Sequence, residues 1–185
     1  MPHRTRYVRE TIKKNYPDSM NNDFFTKLLL AVVLLLIQIL MFNHIHLFDY
    51  ATPLLFVYLV LTFRRGYPKW GILLWAFFLG LALDIFTNTP GLTSASFVVA
   101  ALIQPYVLEL FMQRESADDL TPSVVTLGLG KYILYALIIV LTFCLCFFSL
   151  ETFNFFNPVQ WLACIGGSTV FTLIFVLVVE NIRRL

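Results

Sequence analysis

Long apolar runs separated by short polar breaks make up almost the whole chain. After a polar lead, near-continuous apolar stretches cover residues 24–42, 53–63, 70–85, 92–111, 124–150 and 159–179. A helix needs about 20 apolar residues to cross a bilayer, so the pattern predicts an all-α, polytopic membrane protein. The second run is short. It spans only if residues 48–52 are added or the bilayer is locally thin, and a re-entrant or tilted helix is the alternative. The breaks carry the turn and cap chemistry that ends helices, notably Asp84-Ile-Phe-Thr-Asn-Thr-Pro-Gly91.

Charge placement decides how many runs to count. The chain has 13 Lys and Arg residues. Arg4, Arg6, Arg9, Lys13, Lys14 and Lys27 lie in the tail and at the start of the first run. Arg64, Arg65 and Lys69 follow the second run, Arg114 lies between the fourth and fifth and Lys131 near the start of the fifth, and Arg183 and Arg184 close the chain. The breaks after the first, third and fifth runs have none. Cytoplasmic loops collect Lys and Arg. Six spans with both termini cytoplasmic put every basic residue on one side, and that alternation requires the short second run to count. The expected organisation is a basic cytoplasmic tail over 1–22 and a six-helix transmembrane domain over 23–185.

Composition agrees: 59% of residues are hydrophobic and 13% are charged, against about 25% charged in soluble domains. Soluble enzymes and disordered chains are excluded. The net charge of +2 carries no nucleic-acid signature, and no nucleic-acid partner is expected. Cys144, Cys146 and Cys164 lie within apolar runs and are read as packing residues. No cleavage site follows the first run, which is expected to act as an uncleaved anchor. Translation could begin at Met1 or at Met20.

Few polar groups lie at membrane depth. Asp84 follows Ala76 and Gly80 at helical spacing, so all three share one face, and the small residues allow close helix packing. Asp84 is either a ligand or partner contact, an ion-pair member, or a cap for the turn closed by Pro90 and Gly91. Gln38 and Gln104 either hydrogen-bond between helices or line a pocket. Pro105 removes a helix hydrogen bond and predicts a kink beside other protein. Ala163 and Gly167 form a small-residue packing face, within the chain or toward a partner. His3, His44 and His46 give no metal set, and no motif joins a nucleophile to a base. Neither enzyme activity nor a cofactor is expected.

Gly80, Leu81 and Asp84 at the end of an early helix, then Pro90-Gly91 and Thr93-Ser-Ala-Ser96, resemble the rod shape-determining protein MreD family. Gln38, the 43–48 turn, Pro53 and Gln104-Pro105-Tyr106 extend the likeness. Thr52, Thr93 and Gln104 depart from the expected pattern, as does the basic tail. The resemblance implies a non-enzymatic scaffold in the bacterial inner membrane that regulates cell shape during peptidoglycan synthesis. Its implied partners are an MreC-like periplasmic coiled-coil protein, the MreB filament system, RodA and its transpeptidase. It also implies a layout similar to the substrate-binding subunits of energy-coupling-factor transporters. The alternative is accordingly a vitamin-like small-molecule-binding subunit.

Overall fold

A computed structural model describes residues 27–38, 55–112, 121–151 and 158–183. Among these residues all regular structure is helical. The helices are α1 (Lys27–Gln38), α2 (Val57–Leu61), α3 (Lys69–Thr87), α4 (Leu92–Phe111), α5 (Val124–Leu127), α6 (Leu129–Glu151) and α7 (Pro158–Arg183). Helices α3, α4, α6 and α7 are each long and apolar enough to cross a membrane. At about 1.5 Å per residue they reach roughly 28–39 Å, matching a hydrocarbon core of about 30 Å. Their outward faces carry large exposed apolar side chains, among them Ile85, Leu110, Leu134, Val159 and Ile174. The chain is a multi-pass helical membrane protein.

Helix α3 begins after Pro68 and ends at Asn88, which takes the left-handed conformation with φ 56°. Gly91 then opens α4 at φ 84°, a conformation that favours glycine. The short turn folds α3 and α4 into an antiparallel hairpin; α4 packs on α6, and α6 packs on α7. The expected fourth span coincides with α4, which runs unbroken through Pro105. Ala101, whose carbonyl the Pro105 ring deprives of its donor, is buried against protein.

Two expectations need correction. The fifth run is not one helix. Ser123 and Thr126 form a reciprocal capping box on the single-turn α5. Gly128 then takes φ 81° and the chain restarts as α6. The last helix also runs past residue 179 to Arg183 and includes Glu180.

The second run holds the centre. Its described part is the five-residue α2, set between turns, and every residue from Leu55 to Phe63 is buried. It packs between α4 and α6. Phe56 stacks on Phe97 of α4 at 4.6 Å between ring centroids and meets Phe143 of α6 edge-on at 6.0 Å; Phe97 and Phe143 close the triangle at 5.1 Å. Irregular backbone at membrane depth is tolerated where protein surrounds it, and α2 is enclosed in that way.

The described basic residues gather at one end of the bundle. The Lys27 amine lies over the rings of Phe63 and Tyr67 at 4.6 and 4.2 Å. The Lys69 amine lies over Tyr106 at 4.4 Å. Lys131 stands near the start of α6, and Arg183 ends α7 beside Tyr58.

Candidate functional site

Asp84 sits at the opposite end, in the last turn of α3, and is 3% exposed. One carboxylate oxygen accepts from the Thr93 N–H at 2.8 Å and, more loosely, from the Thr89 hydroxyl at 3.4 Å. The other accepts from the Gly91 N–H at 3.1 Å, the Ser94 N–H at 3.0 Å and the Ser94 hydroxyl at 2.8 Å. The first N–H groups of a helix have no partner within it and favour a negative charge. Asp84 supplies both from the neighbouring helix. Of the readings open to it, the geometry is that of a cap: it closes the hairpin and starts α4. Asp84 is buried, whereas Asn88, Pro90 and Gly91 are exposed at the tip.

Gly80 and Ala76 share the buried face of α3 with Asp84. A Cβ at Gly80 would lie 2.4 Å from Ser94 Cα and 2.8 Å from Ser94 N. The glycine therefore sets how closely α4 approaches, and that approach brings the Ser94 amide to Asp84.

Gln38 and Gln104 serve the two ends of α2. The Leu55 N–H, ahead of α2, donates to Gln38 Oε1 at 3.1 Å. Beyond α2, Gln104 Nε2 donates to the Phe63 carbonyl at 3.4 Å and to the Tyr135 hydroxyl at 2.9 Å. The Tyr135 hydroxyl donates in turn to the Leu61 carbonyl at 3.5 Å. A helix broken off at membrane depth leaves main-chain groups that lipid cannot satisfy. Two glutamines and a tyrosine take up three of them, the Leu55 N–H and the Leu61 and Phe63 carbonyls. Gln104 lies ten residues along α4 from Ser94, about 15 Å by helix rise. Asp84 and Gln104 therefore do not converge on one pocket.

Glu180 escaped sequence reasoning. It is 5% exposed on α7. The Tyr58 hydroxyl of α2 donates to its Oε2 at 2.7 Å, and the Val124 N–H of α5 donates to its Oε1 at 3.4 Å. Arg183 flanks the pair. An acid directly after an apolar run, with Ile182 still beyond it, was the available signal, but the basic residues after it make it read as a solvated terminus. The carboxylate ties α7 to α2 and α5. Tyr58→Phe is expected to lower stability by about 1–2 kcal/mol, the scale of a hydrogen bond to a charged group in a membrane protein. Thermal unfolding in detergent, compared with Tyr106→Phe at an exposed ring, measures it.

Ala163 and Gly167 do not pack within the described chain. Both are exposed, whereas Ile165, Ser168, Thr169, Thr172 and Val176 of α7 are buried, and α7 packs on α6. Helical spacing identified the face but not its direction. Cys144, Cys146 and Cys164 are free thiols, and Cys144 is buried. Among the described residues no three His, Cys, Asp or Glu side chains group as metal ligands. His3, His44, His46, the 1–22 tail, Met20 and Pro53 lie outside the described residues. No family model matches the chain, and neither a curated protein nor a solved structure matches it.

Proposed function

We propose that this protein is a non-enzymatic scaffold subunit of the cell-elongation machinery in the bacterial inner membrane. Six spans and cytoplasmic termini complete the reading, with α1 and α2 belonging to the first two. It acts by holding an MreC-like periplasmic partner and the cell-wall synthases through helix faces and short loops. The resemblance of the 80–96 segment to the MreD family carries the identity. One observation favours a scaffold over a small-molecule-binding subunit. Of the three polar side chains that could have formed a ligand pocket, Asp84 and Gln38 accept from main-chain N–H groups of their own fold, and Gln104 gives its amide N–H to Tyr135 and Phe63 while its buried Oε1 has no partner among the described residues. The basic end faces the cytoplasm in this reading, and the Asn88–Pro90 tip faces the periplasm.

Affinity purification of the full chain from native membranes tests it. A single-span periplasmic coiled-coil protein is expected to co-purify, and Asn88→Lys with Pro90→Ala at the exposed tip is expected to reduce its recovery several-fold at unchanged abundance of the bait. Recovery of an energy-coupling ATPase together with a bound vitamin would replace the scaffold reading with the transport one.

A further inference from the structure

Gln104 is 1% exposed, yet its Oε1 accepts no hydrogen bond among the described residues. Two interruptions of regular helix flank this side chain. Helix α2 has ended, and its Leu61 and the following Phe63 take their donors from Tyr135 and Gln104. On α4, Pro105 has no N–H to give the Ala101 carbonyl. The hydrogen bonds can be counted there. The donors are the two N–H bonds of the Gln104 amide and the Tyr135 hydroxyl. They reach the Phe63 carbonyl at 3.4 Å, the Tyr135 oxygen at 2.9 Å and the Leu61 carbonyl at 3.5 Å. The acceptors are these three oxygens, the Ala101 carbonyl and Gln104 Oε1. Three donor hydrogens thus face five acceptor oxygens, and two oxygens are left over. Turning the amide over does not help. Oε1 would then accept from Tyr135, and the Phe63 and Leu61 carbonyls would lose their donors.

Helix geometry brings the two leftover oxygens together. Ala101 and Gln104 lie within one turn of each other on the buried face of α4. A long side chain on a helix leans back over the turn N-terminal to its own Cα. For Gln104 that turn carries Ala100 and Ala101, whose buried side chains are single methyl groups. A buried acceptor without a donor is costly, and in lipid no outside solvent relieves it.

We propose that one water molecule is bound beside Gln104, donating one hydrogen to Gln104 Oε1 and the other to the Ala101 carbonyl. A water supplies the two hydrogens that the protein lacks there, and buried waters sit on polar groups that would otherwise be unpaired. Ordered water is also one of the means by which a proline inside a membrane helix is accommodated. A metal cation could bind the same oxygens, but none of the five belongs to a carboxylate. The Lys27 ammonium over the Phe63 ring at 4.6 Å also opposes a second positive charge nearby. The water ties the proline turn of α4 to the side chain that holds the end of α2. It requires only this fold and stands apart from the scaffold reading.

A density map of the full chain in lipid nanodiscs, at a resolution that shows ordered water, tests the site. One peak is expected at hydrogen-bond distance, about 2.7–3.2 Å, from both Gln104 Oε1 and the Ala101 carbonyl oxygen. Gln104→Leu is expected to lose it. Pro105→Ala, which returns an N–H to the Ala101 carbonyl, is expected to move the peak off that oxygen. Absence of the peak from the unmodified chain, its persistence in Gln104→Leu, or unchanged contact with Ala101 in Pro105→Ala overturns the site. Maps of the unmodified chain in sodium chloride and in choline chloride separate water from a cation. The same peak in both salts is expected. A peak present only with sodium assigns the oxygens to a cation, and density larger than one water assigns them to an organic ligand. Either result overturns the water reading. Should neither variant fold, the two maps of the unmodified chain decide.

Discussion

Asp84→Ala is expected to destabilise the protein by about 3 kcal/mol or more. The residue accepts hydrogen bonds from three main-chain N–H groups and one close hydroxyl. A lost N-cap alone costs about 0.5–2 kcal/mol, and each buried donor left unpaired costs about 1–3 kcal/mol. Asp84→Asn is expected to recover only part of the loss. Whichever way its amide turns, the –NH2 faces a main-chain N–H, that of Thr93 on one side or those of Gly91 and Ser94 on the other. Denaturation by SDS in mixed micelles measures both variants, and immunoblotting of membranes gives their abundance. If the proposed scaffold function holds, a shape defect is expected to follow the loss of protein. Loss of cell shape in Asp84→Ala at unchanged abundance and unchanged unfolding would give this carboxylate a role beyond the cap.

The sequence made some of this arrangement legible and hid the rest for a physical reason. Ala76, Gly80 and Asp84 recur at the period of a helix, so their common face could be read directly, and Pro90-Gly91 announced the turn. Gln38 and Gln104 were conspicuous as polar groups at membrane depth. Their partners were not, because they are main-chain groups of Leu55 and Phe63. Nothing in Val57-Tyr-Leu-Val-Leu61 distinguishes a five-residue buried helix from part of a longer span. Main-chain partners leave no residue-type signal, so a polar side chain that caps a broken helix looks like one that lines a pocket. Glu180 was hidden in the opposite way: Asn181, Arg183 and Arg184 beside it made a buried carboxylate look like part of a wet tail. Ala163 and Gly167 show a third limit. Spacing finds a face, but only packing decides whether that face looks inward, and here it looks out.

Gly80→Ala is expected to rival Asp84→Ala in cost although it removes no interaction. The added methyl would sit 2.4 Å from Ser94 Cα and 2.8 Å from Ser94 N. These are main-chain atoms in the first turn of α4, so no side chain can swing aside. The hairpin has to open there, which moves the Ser94 amide off Asp84 and adds lost hydrogen bonding to the usual overpacking cost of about 1–3 kcal/mol. Because both substitutions act on the same turn, the double variant is expected to lose less than the two single losses combined, by about 1 kcal/mol or more. Gly166→Ala is the control, since a Cβ there meets nothing within 4 Å. It is expected to leave unfolding nearly unchanged. A mild Gly80→Ala, close to Gly166→Ala, would mean that α3 and α4 do not need their close approach. Full additivity with Asp84→Ala would separate glycine from cap. A large loss together with coupling would make them one device, in which a missing side chain on α3 brings the amides of α4 within reach of the carboxylate one turn further along the same helix.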